Sequence, residues 1–208
     1  IRDFSKDKHH KADDTPFGGG PGMVMTAQPI FDALKSIDAQ NKKAIYMSPR
    51  GSVLNQQKIE ELVEADEIVI LCGHYEGVDQ RVLDHFNMEE ISIGDYILTG
   101  GELPAMVLID SVARFIPEVL GNHQSTSDES IYSGLLECNQ YTKPRNYEGL
   151  DVPEVLTNGN HKLIHLWQYE NALELTKERR PDLWQKYLEK DKELTKDEKK
   201  ILEKVISK

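Results

Sequence analysis

The sequence predicts an α/β protein: a parallel sheet with helices on both sides, followed by a smaller all-helical domain. Three observations carry this prediction. Apolar runs of strand length alternate with stretches of helical spacing. Those runs are apolar at consecutive positions rather than alternate ones, as strands covered on both faces must be. Past Gly121 the texture changes, and helix patterns dominate.

Each element follows in order. "DDTPFGGGPGM" (13–23) is a glycine-rich loop. It ends near Thr26, an N-cap for a helix with Ile30, Phe31, Leu34 and Ile37 on one face. "KAIYMS" (43–48) predicts a buried strand that stops at Pro49-Arg50-Gly51. Leu54, Ile59, Leu62 and Val63 then recur at helical spacing, and "EIVILC" (67–72) is a second buried strand running into Gly73. A helix is predicted over Val78 to Phe86. "ISIGDYILTGGELPAM" (91–106) supplies strand material and then glycines where a helix begins; Leu103 to Ile116 reads as that helix, ending at Pro117. "NHQSTSDES" (122–130) is polar and aperiodic, a linker. Two helices flank Pro181, and the last helix opens on a capping box, Thr195 with Glu198, and carries Ile201, Leu202 and Val205. The division expected is therefore a first domain over 1–121, a flexible linker over 122–130 and a helical domain over 131–208.

At 208 residues, 29% charged and 38% hydrophobic, the chain has the size and balance of a soluble globular protein with a real core. No apolar run approaches the ~20 residues that span a bilayer. "IRDFSKDKHHKADD" is too polar for a signal peptide, and the missing initiator Met suggests a start inside a longer chain. Cys72 and Cys138 stand far apart without a CxxC, so neither a disulfide framework nor a zinc site is indicated. A reducing, cytoplasmic compartment is expected. The net charge of −11 is uneven. Residues 1–50 carry 8 basic and 6 acidic groups, 51–140 carry 3 and 17, and 141–208 carry 14 and 13. The acid is concentrated in the middle, so the ends remain able to meet a polyanion.

In a parallel sheet, ligands bind at the carboxyl ends of strands. Three such ends carry glycine loops: "SPRG" (48–51), "CGHYEG" (72–77) and "ILTGGE" (97–102). No GxGxxG and no GxxxxGK[ST] occurs, which argues against a nucleotide hydrolase. Backbone amides and carbonyls offered by glycines suit a neutral or zwitterionic adenosine derivative better than a polyphosphate. Any one glycine pair reads more simply as a tight turn; three at equivalent strand ends read as a site. A side chain placed at Gly101 is expected to crowd that ligand.

"GGGPGM" (18–23), "LCGHYEGVDQR" (71–81), "EISIGDYILTGGELPAMVLIDSVARFIP" (90–117) and "LLECNQYTKP" (135–144) closely resemble the bacterial tRNA (guanine-37-N1)-methyltransferases. These belong to the trefoil-knotted SPOUT superfamily, and the likeness covers essentially the whole chain. The family begins with a further strand and helix, which are missing before Ile1. The resemblance implies a deep knot that grips S-adenosylmethionine, transfer of its methyl group to N1 of guanosine 37 in tRNA, a homodimer with the active site at its interface, and a helical domain that holds the tRNA. Mg2+ is a possible further cofactor that the sequence leaves open.

By position in the family's motifs, the resemblance assigns Tyr46, Met47, Ser48, Pro49 and Gly51 to the cofactor from the first loop. Gly73, Tyr75, Glu76 and Gly77 follow from the second. Ile93, Gly94, Asp95, Tyr96, Ile97, Leu98, Gly100, Gly101 and Pro104 come from the third. N1 of guanine is a poor nucleophile until its proton leaves, so a carboxylate base and a cation near O6 are the expected devices. Arg114 matches the family's electrostatic arginine, and Glu129, with Asp128 beside it, stands where the family has an aspartate base. His74 replaces an arginine common in the second loop. Lys143, Arg145, Arg179 and Arg180 are candidate phosphate contacts, equally readable as solvated charges. His161 and His165 have metal-compatible spacing without a third ligand, so no metal is expected. Trp167 and Trp184 read as core of the small domain. The alternative function is a non-catalytic RNA-binding relative, against which the intact cofactor loops argue.

Overall fold

Asp13–Asp14 (β1) and Val24–Met25 (β2) pair as a short antiparallel ribbon. A strand that is apolar on both faces needs cover on both faces, and Lys43–Val53 (β3) has it. β3 is the middle strand of a three-stranded parallel sheet, with Ile68–Leu71 (β4) on one side and Glu89–Ser92 (β5) on the other. The β3–β4 register runs from Lys43 opposite Ile68 to Tyr46 opposite Leu71. The structure is a computed structural model that describes residues 1–116, 119 and 134–208 of the chain.

Alternate residues of β3 serve two cores. Ala44 and Tyr46 pack with Ile30 and Leu34 of Ala27–Ser36 (α1) and with Val82 and Leu83 of Gln80–His85 (α3). Ile45 and Met47 face Leu62 of Gln56–Val63 (α2) and Ala105, Leu108 and Val112 of Glu102–Ala113 (α4). Ile45, Leu62, Ile91 and Leu108 are fully buried. Each contributes on the order of 1.5–3 kcal/mol of transfer free energy. The parallel sheet with helices on both faces is thus as the sequence predicts.

Two local details differ from the prediction. β3 does not end at Met47. Ile91 pairs with both Met47 and Ser52, so Ser48–Gly51 bulges out of the ladder and the strand resumes to Val53. A bulge accommodates Pro49, which has no N–H to give a neighbouring strand. At Gly51 an added Cβ would collide with the main chain of Glu90, so glycine lets the returning strand approach β5. Asn55 and Asp79 accept backbone hydrogen bonds as N-caps of α2 and α3, starting both helices later than the apolar spacing alone indicates.

Contacts divide the chain into two units, Ile1–Gly121 and Asn122–Lys208. The second unit holds His161–Arg179 (α5), Pro181–Glu189 (α6) and Lys196–Ser207 (α7). Leu173, Trp184, Tyr187 and Val205 form its core with Leu135. The Thr195–Glu198 capping box is made in both directions. The unit is not helical throughout. Asn146–Tyr147 and Leu150–Asp151 pair as an antiparallel ribbon, its turn made by Glu148 and Gly149 at φ 51° and 83°. Trp184 is core, whereas Trp167 is half-buried with its ring 6.2 Å from that of Tyr141.

α4 is unusual in the first unit. Ala105, Leu108 and Val112 bury one side of it, yet Leu103, Met106, Val107 and Ile109 on its other sides are exposed. A helix that is apolar all round is normally covered all round. Among the described residues no helix is long and apolar enough to cross a membrane.

Candidate ligand pocket

The three glycine loops meet. The bulge after Met47, the loop after β4 and the segment between β5 and α4 enclose a cavity of about 210 Å³ at the carboxyl edge of the sheet. From the first loop Tyr46, Met47, Ser48 and Pro49 line it; from the second, Gly73, Tyr75, Glu76 and Gly77. The third supplies Ile93, Gly94, Tyr96, Ile97, Leu98, Gly100, Gly101 and Pro104. Of the residues the sequence nominates, Gly51 and Asp95 do not line the cavity. Gly51 is spent on the strand crossing described above, and Asp95 is exposed. Four residues absent from that nomination do line it: His74, Ile91, Ser92 and Thr99. His74, Ser92 and Thr99 adjoin nominated residues in the chain, whereas Ile91 reaches the cavity as the β5 partner of Met47, a pairing that no spacing in the sequence reveals.

Backbone pairing holds the loops in place. The Gly101 N–H donates to the Gly73 carbonyl at 2.9 Å, and His74 and Gly100 form an antiparallel bridge. A Cβ on Gly73 would stand 2.8 Å from Tyr46 Oη, so glycine there admits the Tyr46 ring beneath the second loop. Burial pushes the Tyr46 phenol above its ordinary value, and the Glu90 charge adds to that, keeping it a neutral hydroxyl. Ser92 braces the start of the third loop: its hydroxyl donates to the Gly94 carbonyl at 3.0 Å and accepts from the Gly94 N–H at 3.1 Å. Tyr75 stands at φ 59°, a left-handed backbone rare for an aromatic residue, and is exposed beside the cavity. The glycine-rich loop 18–23 abuts the rim, with the Glu76 N–H donating to the Met23 carbonyl at 3.0 Å.

The lining chemistry is restrictive. It offers backbone amides and carbonyls, hydroxyls, apolar walls, the His74 imidazole and the Glu76 carboxylate, and no lysine or arginine. A polyphosphate finds no counter-charge here, whereas a ligand with an aromatic base and a positive centre does.

The other nominated residues lie elsewhere. Arg114 caps the carboxyl end of α4, half-buried, and does not line the cavity. It is ten residues beyond Pro104, about 15 Å along the helix axis. Asp128 and Glu129 lie outside the described residues. Lys143 and Arg145 precede the ribbon of the second unit, and Arg179 and Arg180 end α5; all four are exposed. Arg180 is held by Asp182 through two hydrogen bonds of 2.8 and 2.6 Å, which occupies its guanidinium edge. His165 lies 4.0 Å from Glu198, and among the described residues no group of three or more His, Cys, Asp or Glu side chains converges.

Comparison with known proteins gives a consistent picture. Residues 1–186 match the family model described as tRNA (guanine-1)-methyltransferase TrmD. A tRNA (guanine-N(1)-)-methyltransferase of Alkaliphilus oremlandii (strain OhILAs) is 53% identical over 216 residues, covering 100% of this chain and 85% of that protein. The protein of the same name from Ruminiclostridium cellulolyticum is 56% identical over 189 residues, with 89% and 81% coverage. That of Clostridioides difficile (strain 630) is 53% identical over 194 residues, with 91% and 84%.

Proposed function

The chain belongs to the tRNA (guanine-1)-methyltransferase family, and from that membership we propose that it transfers a methyl group from S-adenosylmethionine to N1 of guanosine 37, just 3′ of the tRNA anticodon. The observation that carries the reading in the structure is the pocket, in which three glycine loops converge at the carboxyl edge of a parallel sheet with no lysine or arginine in its wall. The residues present fit the donor. Apolar and tyrosine walls suit an adenine ring, backbone amides suit a carboxylate, and the Glu76 carboxylate suits a positive centre.

The donor supplies an electrophilic methyl group, so the protein's part is position and proton handling. The first, second and third loops hold the donor; the knot proposed for this fold would fix them against one another. Glu129 is the proposed base that removes the N1 proton, and Arg114 the proposed cation that steadies charge developing on O6. Lys143, Arg145, Arg179 and Arg180 are proposed to meet tRNA phosphates, with the helices of the second unit as their scaffold.

A homodimer with its active site at the interface belongs to the same proposal. Two features support it: the exposed apolar flank of α4, and the separation of about 15 Å along that helix between the pocket and Arg114. A second copy would cover the first and bridge the second. Mg2+ and a cytoplasmic location complete the proposal without a structural argument of their own. The deciding test is methyl transfer from labelled S-adenosylmethionine to tRNA transcripts bearing guanosine or adenosine at position 37. Transfer to guanosine alone is expected. Donor binding without transfer to either would favour a non-catalytic RNA-binding relative.

A further inference from the structure

Two loops of the pocket touch through one side-chain pair. His74 Nε2 stands 2.6 Å from Glu102 Oε1, joining the loop after β4 to the first residue of α4. Gly100 lies beneath the pair. A Cβ there would be 2.5 Å from Glu102 Oε2 and 2.9 Å from the His74 ring, so the imidazole and carboxylate close over a position that only glycine leaves open. The His74–Gly100 bridge and the Gly101-to-Gly73 hydrogen bond run directly alongside. Both loops line the pocket, so a shift of one against the other changes its width.

Resting on the donor-pocket reading above, we infer that the His74–Glu102 pair is a clasp that positions the second and third loops for S-adenosylmethionine, and that it tightens when His74 takes up a proton. A neutral imidazole offers Glu102 one ordinary hydrogen bond; an imidazolium offers a charge-assisted one. The Glu102 carboxyl is held below its ordinary value by its own backbone amide and by His74, and so is ionised to receive it. Half of each side chain faces solvent, so the gain is modest, and several-fold changes in affinity are the scale to expect. Other charged or titratable groups face the pair. The Ile1 amino group, Arg2, Asp3, Asp13, Cys72 and Tyr75 share a second cavity with it, and Tyr46, Glu76 and Tyr96 line the donor pocket. Burial pushes the Cys72 thiol up.

The test is calorimetric titration with S-adenosylmethionine at pH 6, 7 and 8 on the wild-type chain and on His74→Ala, His74→Arg and Glu102→Gln. The donor's own titration is common to all four, so differences between them isolate the clasp. Wild-type affinity is expected to fall several-fold from pH 6 to 8. His74→Ala and Glu102→Gln should bind weakly with no such fall, and His74→Arg, charged at every pH, should bind tightly throughout. In steady-state methylation His74→Ala should raise KM for the donor more than it lowers kcat. Wild-type binding with an unaltered His74→Ala, or a His74→Arg that keeps the wild-type slope, overturns the clasp alone. A wild-type chain that binds no donor at any pH overturns the pocket reading and the clasp with it.

Discussion

Gly101 shows how a residue can matter to a ligand through the chain packed behind it. A side chain there reads from the sequence as an obstacle to the ligand. In the structure the added Cβ would meet the chain itself, 2.7 Å from the Cys72 Cα and 2.9 Å from the Gly73 nitrogen. The glycine is demanded by the close approach of two loops. Gly101→Ala should therefore push those loops apart, lowering both donor affinity and thermal stability, the latter by the ~1–3 kcal/mol typical of an overpacked site. Calorimetry beside a thermal melt decides this; a variant that loses affinity with an unchanged melt would return the clash to the ligand. Glu129 poses the opposite problem, since the family resemblance alone nominates it. With its carboxylate as the proposed acceptor of the N1 proton, Glu129→Gln should abolish most single turnover at saturating tRNA while Asp128→Asn stays mild. A dead Asp128→Asn beside an active Glu129→Gln moves the base by one residue.

At the scale of elements, a cluster of charges ties α2 to the starts of two strands. Lys43 at the head of β3 meets Glu61 of α2 at 2.9 Å and Glu89 of β5 at 2.8 Å, and Lys58 meets the same two carboxylates at 2.5 and 2.7 Å. Hydrogen bonds from Lys58 and then Lys43 hold the Glu61 carboxyl down at about 2. Burial works against Glu89, but the same two lysines still bring it below its ordinary value. A carboxyl depressed in the folded state stabilises above its unfolded value of about 4.5 and loses that contribution as pH falls toward 2. The melting temperature should thus drop between pH 5 and pH 2, less steeply in Glu61→Gln and less steeply in high salt. Equal slopes for wild type and variant would mean that the cluster adds nothing. These strands and helices were legible because their apolar periodicity survives folding unchanged. β3 beyond Met47 was not, because Pro49-Arg50-Gly51 is what a strand end looks like when the neighbour that takes the strand back is forty residues away. The ribbon at 146–151 hid for a similar reason: two residues per strand leave no period to read, only the Glu148-Gly149 turn. The pocket loops were readable as glycine-bearing strand ends, while the His74–Glu102 contact joins positions that no spacing connects.

At the scale of the whole molecule, the separation between the pocket and Arg114 becomes a prediction about assembly. Both sit on one rigid helix, the pocket near its start and the arginine at its end, about 15 Å apart. No loop movement within a chain shortens a helix, so in the proposed homodimer Arg114 acts on the acceptor base at the pocket of the second copy. Alone, Arg114→Ala should bind donor normally and turn over roughly 10²–10³ times more slowly, the usual loss for a missing oxyanion donor. Glu76→Lys, which sets a cation at the rim of a pocket proposed to hold a positive centre, should keep its fold and lose donor binding. Each variant by itself is then inactive for a different reason. In a mixed dimer the pocket of the Arg114→Ala copy is intact and faces the intact arginine of the Glu76→Lys copy, so one of its two sites is complete. Co-expression with separate affinity tags and tandem purification yields that species, and labelled methyl transfer to tRNA reads it. Activity near half that of a wild-type dimer is expected if the arginine works across the interface. An inactive mixed dimer would place Arg114 and the pocket of the same chain in one site, and the proposed interface would then have to be abandoned.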